Sequence, residues 1–225
     1  MSLTNRLRSN NEKRMNNNQF LEPLIPGRPA FETLSGVVVD EETAIRMSTV
    51  YSCVRLLSDT VSSLPVNAYV RRGRARLPYA AVYGETPKWV QNPNPETTKL
   101  EFYEQIVTSF KLNGNAYILL VRDDNDEVSE TWVLDPRNVR IERQAPGEPL
   151  VYFIKIKDIQ GLYEQRVTAR DILHIPDFRL PGQIYGLSPI AACRTTLGSA
   201  MAADTYAASY FGNAANPGGV IEVPG

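Results

Sequence analysis

A chain of 225 residues that holds one histidine, His174, has few routes to nucleophilic or proton-transfer catalysis. Any Ser-His-Asp or Cys-His mechanism would have to run through that imidazole, with a nucleophile and an orienting group around it. His174 lies in the apolar run Ile172-Leu173-His174-Ile175-Pro176, where a hydrogen-bonded, partly buried ring is the expectation. The segment Gly186-Leu187-Ser188-Pro189-Ile190 approximates the nucleophile elbow G-x-S-x-G, but its fifth residue is Ile. A proline directly after Ser188 suits a helix cap better than a strained, exposed nucleophile. A hydrolase built on Ser188 and His174 is therefore the weakest functional reading.

The other reactive groups are equally isolated. Cys53 and Cys193 stand in apolar helical patterns with no Cys or His beside them, which is neither a disulfide framework nor a zinc spacing. Both are expected to be small buried core residues, in keeping with a reducing cytoplasm. The acidic turn Asp123-Asp124-Asn125-Asp126 has oxygens enough for calcium, yet lacks the glycine and distal glutamate of an EF-hand loop. No phosphate-cradling G-x-x-x-x-G-K-[ST] and no G-x-G-x-x-G is present. No catalytic residue, cofactor or metal is expected.

One cluster could meet an anion. Arg71, Arg72, Arg74 and Arg76 surround a glycine turn. As a solvated edge hairpin, their charges would discourage unwanted strand pairing; as a finger, they would contact phosphates of nucleic acid. Across the whole chain, 24 Lys+Arg stand against 25 Asp+Glu, so a chain-wide phosphate clamp is excluded. Hydrophobic residues at 43% place the chain among ordinary globular proteins. The densest apolar run, Ala116 to Val121, is too short to span a bilayer, and the polar first 18 residues carry no secretory signal.

The elements that must carry these groups can be read from patterning. Residues 1–40, rich in Asn and Arg and then punctuated by Pro, read as a mobile arm and linker. Order is expected from residue 41. Met47, Val50, Tyr51, Val54, Leu57, Val61 and Leu64 recur at helical steps after Asp40-Glu41-Glu42, giving one amphipathic helix closed by Pro65. A hairpin turning at Gly73 follows, then a short helix over Pro87–Gln91 and the breaker Asn92-Pro93-Asn94-Pro95. Thr98 and Glu101 form a capping box for a helix that buries Phe102, Ile106 and Phe110 and stops at Gly114.

From Asn115 to Ile175 the chain reads as an antiparallel meander of six strands with polar turns. Ser188-Pro189 then opens a third helix crowded with Ala, Gly, Ser and Thr, small residues that permit close backbone approach to a neighbouring element. A strand begins at the chain's end. The expected fold is α+β, with amphipathic helices on an antiparallel meander.

Read in order, these blocks resemble tailed-bacteriophage portal proteins of the siphophage type. MSTVYSCVRLLSDTVSSLPVNAYVRR is similar to the family's first block, a V-Y-x-C-V-x-x-[IL] helix ending in S-L-P. QNPNPETTKLEFYEQIVTSFKLNGNAYILLVRD resembles the next, with its P-N-P and G-N-A-Y. WVLDPRNVRI, DILHIPDF and YGLSPIAACRTTLGSAMAADTYAASYFGNAANPGGVIEVPG are similar to three further blocks. The resemblance runs from about Thr43 to Gly225, and five blocks in register make it specific. The chain departs from the pattern at Tyr210-Phe211-Gly212 and Asn213-Ala214, where the family carries a second Phe and an Asn-Gly turn.

The resemblance implies a non-catalytic subunit of a dodecameric ring at one capsid vertex, which gives double-stranded DNA a channel and joins head to tail. It implies as partners further copies of the chain, the DNA, the terminase motor, capsid protein and head–tail adaptors, with no membrane. It places the protein in the virion, and in the host cytoplasm during assembly. Residues 41–225 would form the wing, the ring's outer body, with stem, clip and crown regions missing. The alternative is an intracellular α+β binding adaptor that forms no ring.

Overall fold

The computed structural model describes residue 33, residues 36–143, residue 145, residues 147–158 and residues 161–212. The expected arm, most of the linker and the strand at the chain's end lie outside the described residues. In chain order the elements are α1 (Glu41–Ala44), α2 (Ser48–Ser62), β1 (Tyr69–Arg72), β2 (Ala75–Pro78), α3 (Tyr79–Tyr83) and α4 (Lys88–Gln91). Then come α5 (Lys99–Asn113), β3 (Asn115–Arg122), β4 (Val128–Leu134), a 3-10 turn (Pro136–Asn138) and β5 (Val139–Glu142). The series ends with β6 (Val151–Asp158), β7 (Gly161–Thr168), β8 (Ile172–Pro176), α6 (Pro189–Ala192) and α7 (Arg194–Gly212). The class is α+β, as expected.

β3 organises the molecule. Its register pairs it antiparallel with β4 on one side and β8 on the other. Asn115, Ala116, Tyr117 and Ile118 are all buried, so both faces of the strand are covered. Ala116 and Ile118 meet Phe102 and Ile106 of α5. Tyr117 points the other way, into a cluster with Val139, Ile141, Tyr152, Ile154, Val167 and Ile172. That second cluster joins the β4-β3-β8 sheet to the separate β5-β6-β7 sheet. A third cluster, Val39, Ala44 and Ile190 with Leu112 beside it, ties α1 and α6 to the end of α5.

Several capping signals act as their chemistry dictates. Thr98 and Glu101 exchange both bonds of a capping box, and Gly114 ends α5 at φ 72°. Ser188 caps α6, accepting from the Ala191 N–H, with Pro189 at the first helical position. Asn94 turns the breaker back on itself, accepting from the Glu96 and Thr97 N–H groups and donating to Thr131 O of β4.

Five expectations need correction. The six strands do not form one meander: β8 returns past β5, β6 and β7 to pair with β3, where Ile172 is buried in the Tyr117 cluster and Ile175 packs beside Ala116 and Ile118. The first helix is two helices. Asp40 and Thr43 make their own capping box, so α1 starts early and ends after one turn, and Met47 takes an extended conformation before α2. The apolar face of α2 is not its buried face: Val54, Ser58 and Ser62 are buried on the side that packs on α5, while Tyr51, Leu57, Val61 and Leu64 remain exposed.

Both cysteines are exposed, Cys53 on the outer side of α2 and Cys193 in the joint between α6 and α7. The third helix breaks at that same joint. In α7 only Gly198 is buried, so the helix is not an internal one; every position from 203 to 212 is exposed. The helix α3 over Tyr79–Tyr83 was not expected from the sequence.

Candidate functional site

The residues that could do chemistry are placed far from one another's business. His174 on β8 sits directly across from Tyr117 on β3, and the two rings stack with centroids 4.7 Å apart. Its Nε2 lies 2.8 Å from Oδ1 of Asn115. The orientation of Asn115 is fixed by backbone: Oδ1 accepts from the Gly186 N–H at 2.8 Å, and Nδ2 donates to Gly186 O and Asn113 O. Oδ1 therefore faces the imidazole as an acceptor, and Nε2 carries the proton. Burial, with the Arg179 charge behind it, lowers the imidazole to about 4 from its ordinary 6.5. A ring held neutral by its surroundings, with Nε2–H committed to an amide oxygen, is a structural histidine.

Ser188 is engaged elsewhere. Its hydroxyl donates to Leu112 O at 2.9 Å and accepts from the Ala191 N–H. The hydrogen bonds of Ser188 and His174 thus lead to different partners, although both end at the same junction. Two glycines make that junction possible. A Cβ on Gly186 would stand 2.1 Å from Gly114 O, and one on Gly114 would stand 2.1 Å from Leu187 O. Backbone meets backbone there, with Asn115 filling the gap. In the sequence Gly114 marks a helix stop, while the roles of Asn115 and Gly186 show only as a Gly-Asn step at a helix–strand boundary.

The arginines do come together. β1 and β2 form an isolated antiparallel pair in which Arg71 stands opposite Arg76 and Arg72 opposite Ala75. All residues from 71 to 78 are exposed. Arg71 donates to Gly73 O within the turn, and the Arg76 guanidinium lies 5.3 Å from the Tyr69 ring centroid. Among the described residues none of the four is ion-paired to a carboxylate. The acidic turn at Asp123 folds on itself and on Arg122 and Arg170, and no metal-holding group of His, Cys, Asp or Glu occurs among the described residues. No described helix is long and apolar enough to cross a membrane.

Large apolar side chains also reach the surface at several places, two of them on helices. α2 presents Leu56 at 68% exposure with Leu57 and Val61, Leu64 follows just past its end, and α7 presents Tyr206 at 74% and Phe211 at 73%. Apolar exposure of this size together with the arginine hairpin gives the subunit several surfaces able to meet a partner.

Comparison with known proteins agrees with that geometry. The family model described as phage portal protein matches residues 48–225. A probable portal protein of Streptomyces phage phiC31 is 35% identical over 198 residues, covering 85% of this chain and 42% of that protein. The portal protein of Enterobacteria phage HK97 is 26% identical over 180 residues, covering 79% and 40%. Among solved structures, the neck of a native gene transfer agent particle with C12 symmetry aligns with a TM-score of 0.62 at 22% identity, over 87% of this chain and 50% of that one. An HK97-family portal protein from Corynebacterium diphtheriae aligns with a TM-score of 0.51 at 18% identity, over 87% and 54%. The chain thus spans about two-fifths of those two curated relatives and half of the neck chain. With the family model matching most of its length, the chain belongs to the phage portal protein family.

Proposed function

We propose that this chain is the body of a portal subunit, which assembles with copies of itself into a closed ring at one capsid vertex and performs no covalent chemistry. The family match over residues 48–225 carries the reading. The likeness to a neck solved with C12 symmetry supports a cyclic assembly, dodecameric in the virion. In this reading residues 41–225 are the wing-like unit, double-stranded DNA passes through the ring, and the terminase motor, capsid protein and head–tail adaptors are its other partners. It works in the virion after assembly in the host cytoplasm.

The surfaces support this. A chain whose net charge is −1 does not hold a sliding duplex as a strongly basic lining would. The apolar patches on α2 and α7 suit burial in a larger assembly. Disrupting the gene in its phage tests the role: heads should form without packaged DNA or tails. DNA-filled, tailed heads made in its absence would overturn it.

A further inference from the structure

The β1–β2 hairpin has an electrostatic cost that its own contacts, Arg71 to Gly73 O and Arg76 over the Tyr69 ring, offset at only two of its four arginines. A two-stranded hairpin is marginal by itself, and like charges directly opposite one another, as Arg71 and Arg76 are, weaken it further. Arg72 and Arg74 have neither an ion pair nor a hydrogen bond from their side chains among the described residues. A donor-only guanidinium in that position calls for an acceptor from outside.

The complementary surface lies on the same chain. Between α5 and β4 with its following turn runs an open groove of about 550 Å³. Glu96, Glu101, Glu104 and Asp135 line it. Glu101 is occupied in capping Thr98, and Asp135 is paired with Arg137, which also reaches Glu42. Glu96 and Glu104 have no side-chain partner among the described residues. The groove therefore offers the unpartnered carboxylates of Glu96 and Glu104, and the hairpin offers donors alone. No ion pair joins the two within the subunit among the described residues.

We propose that the Arg71–Arg76 hairpin of one copy seats in the α5–β4 groove of the next copy. This deepens the ring reading and rests on it, by assigning one contact through which copies meet. Two different, complementary patches on one chain make a head-to-tail contact, which generates a ring when its rotation closes. Individual exposed ion pairs are weak and screened by salt, so the contact sets register and approach more than it supplies affinity.

Mixing two charge-reversed forms of the chain tests the pairing by sedimentation velocity at low and high salt. R72E/R74E alone and E96R/E104R alone should each self-associate at least about tenfold more weakly than the unaltered chain. Their mixture should recover association, because each supplies the charge the other lost, and added salt should weaken that recovery. Rings indifferent to both reversals would overturn the pairing while leaving the portal reading standing. An unaltered chain that stays monomeric at low salt and the highest soluble concentration would also overturn it. So would R72E/R74E that associates normally but loses salt-sensitive binding to a short DNA duplex, which would assign the hairpin to phosphate instead.

Discussion

His174 lies flat against Tyr117 across the β3–β8 pair, 4.7 Å between centroids and 20° between planes, and its Nε2 is 2.8 Å from Asn115 Oδ1. The lone histidine of the chain is thereby one corner of a clamp that fastens β8 and the Gly186 loop to the end of α5. Four hydrogen bonds converge on the Asn115 side chain, two of them spanning 71 residues of sequence.

Asn115→Ala should remove all four bonds and leave the Gly186 N–H and carbonyl buried and unpaired. Each such loss costs roughly 1–3 kcal/mol, so a total of about 3 kcal/mol is expected by urea denaturation. Asn115→Asp sets a buried carboxylate against Gly186 O and Asn113 O and should destabilise at least as much as Asn115→Ala.

Gly186→Ala should destabilise by several times more than Gly73→Ala. The first drives a methyl to 2.1 Å from Gly114 O, backbone against backbone, whereas a methyl at Gly73 meets nothing within 4 Å. Gly73 still sits at φ 61°, so its substitution carries a conformational cost of about 1 kcal/mol. Thermal melting of the two variants side by side checks the contrast.

Tyr117→Phe should be neutral or slightly stabilising. The Tyr117 hydroxyl is buried with no hydrogen-bond partner among the described residues, and burial raises its pKa, so it stays neutral. Removing it relieves an unpaired group, worth about 1 kcal/mol, while keeping the ring stacked on His174. Tyr117→Ala, by contrast, empties the centre of the cluster and should cost about 3–5 kcal/mol.

Stability should fall as pH drops from 6.5 towards 4. In that window the unfolded chain protonates its histidine, while the folded chain keeps His174 neutral to about 4. The contribution is fully present above 6.5 and is lost by about 4, amounting to roughly 2 kcal/mol for a partly buried ring. His174→Gln should flatten the urea midpoint across that range. A wild-type midpoint that does not move between those values would contradict the assignment.

Local chemistry was legible where a single residue dictates it. Thr98 with Glu101, Gly114 and Ser188 with Pro189 each announce a helix end, and the structure puts each one there. The α+β class followed from the same signals. What was not legible depends on distance along the chain. No turn encodes the return of β8 to β3, since five elements of sequence separate the paired edges. The Asn115 clamp needs Gly186, which only the folded chain brings near. The apolar stripe on α2 misled for a related reason: small side chains, Val54, Ser58 and Ser62, let it approach α5, and the larger ones are left for another surface. The arginine cluster was visible as a cluster, but the groove that complements it is assembled from α5 and β4.

In the proposed function this chain builds a ring. Native mass spectrometry of the purified protein at low salt, with class averages from electron microscopy of the same sample, tests it most directly. A closed cyclic species of uniform subunit number is the expected result, twelve if it follows the C12 neck to which the fold is similar. A strictly monomeric protein, or open filaments of indefinite length, would contradict it.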